Sequence, residues 1–325
     1  MEGIEPGRLI RAALSRGILA ALPPEPISLV AAGKAAWPMA CAFDLGISEG
    51  VVAGPRVGSG QISSRLAWLD AAHPSPDGSS ESAGRRALEI ASAIPRQGSL
   101  VVLLSGGASS MLAAPAAGLS LADKVVTARE LMNAGVAIAG LNCVRKHLSA
   151  VKGGRLAALA PRTVTLAISD VHGPIADDPA VIGSGPTVAD PTTYADALAV
   201  VRGSGVRGIP ERVIAHLERG PDETPKPGDP RLAESVYQVI ANRRLAMEGA
   251  AQAARGLGYT VHVVDEATGG EAREAGLTFV ANAVRLARVS SGHREGSLPE
   301  PVCVVASGET TVHVRGRGRG GRTQE

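Results

Sequence analysis

The stretch SLVVLLSGGASS, residues 99–110, decides the fold. Leu100 to Leu104 form an unbroken apolar run that stops at the Gly106-Gly107 turn. A short run of this kind, bounded by a turn, reads as a strand buried on both faces. Such strands belong to parallel sheets with helices packed on either side. Two further runs match it. ISLVAAG (27–33) is a short buried strand ending in glycine, and RTVTLAISD (162–170) carries β-branched Thr and Val at strand spacing.

Helical patterns separate these strands. DGSSESAGRRALEIASAI (77–94) starts at a cap, Asp77 or Ser79, and SLADKVVTARELMNAG (120–135) is capped by Ser120 and closed by Gly135. Residues 6–22 place Leu9, Ile10, Ala13, Leu14, Ile18 and Leu22 on one helical face, and Pro23-Pro24 end it. KAAWPMACAFDLG (34–46) reads as a helix with Pro38 in its first turn. CVRKHLSAVKGGRLAALA (143–160) reads as a second helix of the 120–160 region, and 195–218 as helical with a break at 203–210.

RGPDETPKPGDPR (219–231) is rich in proline and charge, and reads as a linker or long surface loop. Beyond it, VYQVIA (236–241), YTVHVVD (259–265) and PVCVVASG (301–308) alternate with two helical stretches. That order predicts parallel pairing through right-handed crossovers. The expected organisation is α/β: a Rossmann-like parallel-sheet domain over 1–220, a linker over 221–234, and a second α/β domain over 235–325.

Composition narrows the function. Over 325 residues, 33 Lys and Arg stand against 31 Asp and Glu, a net charge of +2. A protein that lives on phosphate-backbone contacts is more basic than that. Aromatic residues are 2%, too few for base-stacking platforms. Nucleic acid is therefore not the expected partner. Cys41, Cys143 and Cys303 are far apart, with no zinc-type spacing, which fits a reducing cytoplasm. No apolar run approaches the ~18–20 residues of a membrane span, and the N-terminus lacks a signal-peptide pattern.

In open α/β sheets, ligands bind beyond the carboxyl ends of the strands. Four such ends carry polar residues of interest. Lys34, directly after Gly33, would hold its ammonium at the mouth of the sheet, where it can meet a phosphoryl group. Ser105-Gly106-Gly107-Ala108-Ser109-Ser110 offers converging backbone N–H groups and hydroxyls to an anion, although it is neither a Walker A nor a GxGxxG sequence. Asp170 ends a third strand and is a candidate Mg²⁺ ligand or base, while Asp177, Asp178 and Asp190 read as turn and cap residues. Ser307-Gly308-Glu309 and the run Arg315 to Arg322 form the fourth, where a glycine-rich turn could present Arg322 to phosphate. Arg145, Lys146, Lys152 and Arg155 form a basic stretch able to bind a carboxylate or phosphate, or simply to face solvent.

Taken together, six strings resemble one family, the glycerate 2-kinases, whose C-terminal part is called the MOFRL domain. They are AAGKAAWPMA, HPSPDGSSESAGRRAL, LLSGGASSMLAAPAAGLSLADK, LNCVRKHLSAVKGGRLA, ISDVHGPIADDPAVIGSGPTVADPTT and SGETTVHVRGRGRGGRTQE, and they span nearly the whole chain in family order. The resemblance implies ATP-dependent phosphorylation of D-glycerate to 2-phosphoglycerate, Mg²⁺ as the metal, and a cleft between two α/β domains. It implies catalytic roles for Lys34, Arg322 and Asp170. It also implies substrate or nucleotide binding by Gly33, Ser105, Gly106, Gly107, Ser109, Ser110, Lys146, Lys152 and Glu309. Asp170 would either bind the metal or accept the proton of the substrate's hydroxyl. The small-molecule partners would be glycerate and ATP, with homodimer formation left open.

The sequence departs from the family pattern at two places. Thr323 stands where the family usually has Asn, and SDVHGPIADD displaces the aspartate that usually follows the glycine. Family members also continue past the GGRNQE motif, so the second domain is expected to stop at its active-site edge. Two rival readings follow: an NAD(P)H-dependent hydroxypyruvate reductase, since some members carry that name, and an inactive kinase fragment. Against the reductase, no GxGxxG opens a helix after a strand.

Overall fold

The structure is a computed structural model that describes residues 5–17, 26–43, 45–220, 222–290 and 301–312. Two compact bodies emerge. The larger comprises Pro6–Val171 and Asp177–Ile240; the smaller takes in the chain from Ala241 together with His172–Ala176.

The larger body begins with α1 (Pro6–Ser15), β1 (Ile27–Ala32), α2 (Ala36–Cys41), β2 (Ile47–Ala53), β3 (Leu66–Leu69), α3 (Gly78–Ala93) and β4 (Ser99–Leu104). It continues through α4 (Ala108–Met111), α5 (Leu121–Asn133), α6 (Ile138–His147), β5 (Thr163–Ile168), α7 (Tyr194–Gly203), α8 (Glu211–Arg219) and β6 (Ser235–Ala241). The strands form one sheet in the order β3-β2-β1-β4-β5-β6, and every pairing from β3 across to β5 is parallel. This is the doubly wound order in which the chain reverses its winding between β1 and β4.

β1 and β4 are central, and all six residues of each are buried. Their side chains alternate between two apolar layers. Val30, Ala32, Leu100, Val102 and Leu104 pack with Ala83, Ala87 and Ile90 of α3. Leu29, Ala31, Val101 and Leu103 pack with Ile10 of α1 and Met39 and Ala40 of α2. Each fully buried Leu or Val contributes about 1.5–3 kcal/mol relative to exposure, so the sheet core is what fixes the strand ends. A third apolar cluster, built on Leu131, Leu141, Val144, Val201, Val213 and Leu217, joins α5 to α8.

Several boundaries differ from the sequence expectation. β2 and β3 add two strands between 47 and 69. The helix expected over 34–46 is confined to Ala36–Cys41, with Pro38 in its first turn as expected. The helix expected over 143–160 stops at His147. Gly153 and Gly154 have φ of +61° and +81°, and a Cβ on either would lie 2.9 Å from Thr224 or Val188, so the chain there is a tight turn. The domain boundary also moves. β6 extends the first sheet beyond β5, and the larger body therefore runs through Ile240, past the loop expected to link two domains.

The smaller body holds α9 (Arg243–Gly256), β7 (Thr260–Val263), α10 (Ala272–Ser290) and β8 (Val302–Val305). β7 and β8 pair in parallel. Asn242 caps α9 by accepting the Leu245 N–H at 3.2 Å.

Candidate active site

The carboxyl ends of β1 and β4 meet at the point where the sheet reverses its winding, and there the two turns interlock. Lys34 N–H donates to the Gly106 carbonyl at 2.8 Å, and Ala35 N–H donates to Ser105 Oγ at 3.0 Å. Gly33 has φ of +119°, and a Cβ on it would lie 2.3 Å from Ser105 Oγ and 2.5 Å from the Ser105 carbonyl. Only glycine fits that approach. The next turn is equally tight: a Cβ at Gly54, after β2, would lie 2.3 Å from the Gly33 carbonyl.

This arrangement gathers polar groups at one mouth. The Lys34 side chain is exposed and makes no hydrogen bond or ion pair among the described residues. The amides of Gly106 and Gly107 donate to nothing among the described residues, and Gly107 holds φ of +87° at the start of α4. Successive unsatisfied amides in such a turn form a concave anion receptor. Asp170, two residues past β5, folds its carboxylate over this turn, so that a Cβ at Gly106 would lie 2.2 Å from its Oδ2. His73 reaches the same place from beyond β3. A Cβ at Gly107 would lie 3.1 Å from the His73 ring and 3.5 Å from Lys34 Cγ.

The structure thus brings together Gly33, Lys34, Ser105, Gly106, Gly107 and Asp170. Other expected site residues are engaged internally. Ser105 Oγ accepts the Ala35 amide, as above. Ser109 Oγ lies 2.8 Å from Ser184 Oγ, which donates to Asn142 at 3.2 Å, and Ser110 Oγ donates to the Gly107 carbonyl at 3.1 Å. These hydroxyls shape the loop.

Lys146 and Lys152 depart further from the expected carboxylate-binding role, because both ammonium groups are buried. Lys146 Nζ pairs with the fully buried Asp190 at 3.2 Å. Burial alone would push the Asp190 carboxyl up, but Lys146 and the bonds from Thr192 outweigh it and hold it below the usual range. Asp190 is therefore an internal ion-pair partner, more than the cap read from sequence. Lys152 Nζ donates to the carbonyls of Ser109 at 2.6 Å, Gly183 at 3.3 Å and Leu112 at 3.4 Å. Burial, with Lys124 and Arg145 nearby, holds the Lys152 amine well below its ordinary value. Lys152 ties the phosphate-type loop to the 182–185 turn from beneath.

Glu309 is exposed in the smaller body, one residue past the bridge between Thr268 and Gly308. Arg322 and Thr323 lie outside the described residues. Among the described residues, no three His, Cys, Asp or Glu side chains gather as a metal cage. None of the described helices is long and apolar enough to cross a membrane.

His73 is the site residue that strand-end reasoning passes over. It stands in the string HPSPDG, but the strand before it, β3, is only four residues long and half exposed. Recognising LAWL as a strand would have placed a histidine beyond its carboxyl end.

Comparison with known proteins agrees with this layout. Residues 1–218 match the family described as a domain of unknown function, DUF4147. A protein of Pyrococcus horikoshii named glycerate 2-kinase is 36% identical over 92% of this chain and 67% of its own length. The D-glycerate 2-kinase of Thermotoga maritima is 34% identical over the whole of this chain and 74% of its own. An Agrobacterium vitis protein bearing the name hydroxypyruvate reductase is 39% identical over 91% of this chain and 66% of its own. The chain therefore spans about two thirds to three quarters of the length of these relatives. The crystal structure of the Thermotoga maritima glycerate kinase superposes with a TM-score of 0.79 at 33% identity, covering 99% of this chain and 74% of that one. A sheet that reverses at a lysine-bearing turn, in a chain this similar to named kinases, has one assignment: the chain belongs to the glycerate 2-kinase family.

Proposed function

We propose that this chain transfers the γ-phosphoryl group of ATP to the 2-hydroxyl of D-glycerate, giving 2-phosphoglycerate. The observation that carries the reading is the unpaired Lys34 ammonium beside the free amides of Gly106 and Gly107 at the reversal point of the sheet. Phosphoryl transfer depends on positioning and on neutralising charge that spreads over the equatorial oxygens. Lys34 supplies a mobile cation to those oxygens, and the two amides supply fixed donors that need no reorganisation. Arg322 is the second cation on the family pattern.

Asp170 is the residue that would hold Mg²⁺. An exposed carboxylate with no protein cage around it among the described residues suits an ion ligated chiefly by nucleotide phosphates. When bound, the ion supplies charge neutralisation to those phosphates. Ser105, Ser109, Ser110 and Lys152 keep the amide-bearing loop in shape, and Lys146 braces the wall behind it. The three thiols are unbridged, in keeping with a cytoplasmic setting.

The reductase reading lacks a comparable support. β1 leads into α2 through Gly33, Lys34 and Ala35, with a single glycine where a dinucleotide fold places a glycine-rich phosphate turn. Incubating the chain with ATP, Mg²⁺ and D-glycerate and following the products by ³¹P NMR tests the proposal. A 2-phosphoglycerate resonance is expected. Its absence, with NADH consumed when hydroxypyruvate is supplied, would replace the kinase with the reductase.

A further inference from the structure

We propose that His73 is a catalytic residue of this transfer: its imidazole accepts the proton of the glycerate 2-hydroxyl as the hydroxyl oxygen attacks phosphorus. The role rests on the kinase reading above and adds to it the identity of the general base.

Placement comes first. The chain leaving β3 runs across the carboxyl end of the sheet before entering α3. It is anchored by Asp77, whose carboxylate accepts the N–H of Ala72 at 3.4 Å and that of Ser80 at 2.9 Å. The anchor is doubled, because Ser80 Oγ accepts the Asp77 N–H at 3.1 Å and the Ser80 carbonyl accepts the Ala113 N–H at 3.1 Å. His73 is the residue next to Ala72, so its ring is carried from the β3 edge to the turn beyond β4. There it stands over Gly107, at the amides that would hold the phosphoryl oxygens. A β-carbon at 107 would enter the space shared by the His73 ring and the Lys34 stem.

Availability comes second. The His73 side chain is exposed at the mouth, and neither ring nitrogen hydrogen-bonds among the described residues. The charged groups facing it are Lys34, from the turn after β1, and Asp170, from the turn after β5. Partial desolvation by the surrounding turn, together with Lys34, holds the imidazole below its ordinary value, against the opposing pull of Asp170. An imidazole biased in this way toward its uncharged form can take up a proton.

The step balances without any further reactant. The 2-hydroxyl oxygen forms its bond to the γ-phosphorus while the bond from that phosphorus to the β–γ bridging oxygen breaks. The bridging oxygen leaves on ADP with the electron pair. The hydroxyl proton passes to the free imidazole nitrogen of His73, and from there to water when the product departs.

The test is the pH dependence of kcat/KM for glycerate in wild type and His73→Gln. The wild type is expected to lose activity on an acid limb below the ordinary imidazole range as the imidazole charges. His73→Gln should lower kcat by about 10²–10⁴-fold, abolish that limb, and leave KM within a few-fold. An unchanged limb, or a kcat within about threefold of wild type, overturns the role. NMR titration of the wild-type imidazole needs no variant enzyme. A titration midpoint displaced by D-glycerate supports direct contact, and one unmoved at saturating glycerate overturns it. Failure of the kinase reading shows elsewhere, as a wild type that makes no 2-phosphoglycerate, and would remove the base together with its reaction.

Discussion

Gly33 and Ser105 stand in direct backbone contact: a β-carbon on the glycine would fall 2.3 Å from the serine hydroxyl and 2.5 Å from its carbonyl oxygen. This contact sets the distance between the Lys34 turn and the Gly106-Gly107 amides. Gly33→Ala must both adopt an unfavourable φ of +119° and separate the two turns. A loss of about 2–4 kcal/mol in unfolding free energy is expected. Urea denaturation followed by the fluorescence of Trp37 and Trp68 measures it, and a change below about 0.5 kcal/mol would contradict the packing described.

The buried pair of Lys146 and Asp190 makes a second prediction. Asp190 also accepts bonds from Thr192 at 2.7 Å and Thr224 at 3.1 Å, so its removal strips a network as well as a charge partner. Asp190→Asn should cost about 3–5 kcal/mol, because the Lys146 ammonium is left buried and unpaired. A double variant, Lys146→Met with Asp190→Leu, should recover part of that loss in the same denaturation experiment. An Asp190→Asn protein as stable as wild type would show that the pair does not brace the wall of the site.

Lys124 ties stability to pH. Its ammonium is buried and donates to the Ala114 carbonyl at 3.3 Å, and burial lowers its pKa to about 7. Between pH 7 and the ordinary value of 10.5 the unfolded chain holds a proton here that the folded chain has released. Stability therefore rises with pH across that window and is lowest below it. In Lys124→Met this contribution to the slope should vanish. Melting temperatures recorded from pH 6.5 to 10 check the sign, and an identical slope in both proteins would refute the assignment.

Much of the larger body is legible in the sequence. β1, β4 and β5 are mostly apolar, and their polar residues are small hydroxyls (Ser28, Ser99, Thr163 and Thr165), because both faces of each strand are covered. The Ser120 cap can be read from residue type alone, the structure chooses Asp77 over Ser79 for the other helix, and each cap forms a reciprocal capping box. β2 escapes notice because Ser48, Glu49 and Gly50 break its pattern. Gly50 is there because a β-carbon would lie 2.3 Å from the Leu29 carbonyl, a constraint set by the neighbouring strand. β6 is half-buried along most of its length, so its polar start reads as the beginning of something new when it closes the edge of the old sheet.

Within the site, Lys34, the Gly106-Gly107 turn and Asp170 follow from their positions at strand ends. Lys146 and Lys152 mislead because charge is visible in a sequence and burial is not. Their partners, Asp190 and three backbone carbonyls, are 31 to 44 residues away along the chain. His73 is missed because the strand that delivers it is short.

On the proposed function, the phosphoryl group is transferred at the turn where the sheet reverses, with Lys34 in it. Lys34 is exposed and bonds to nothing through its side chain among the described residues, so Lys34→Ala should leave the fold and the melting temperature unchanged. The most direct measurement is the rate of 2-phosphoglycerate formation from ATP and D-glycerate by wild type and Lys34→Ala side by side. A fall of at least about 10²–10³-fold in kcat with an intact fold is predicted. A Lys34→Ala protein that turns over at the wild-type rate would contradict it.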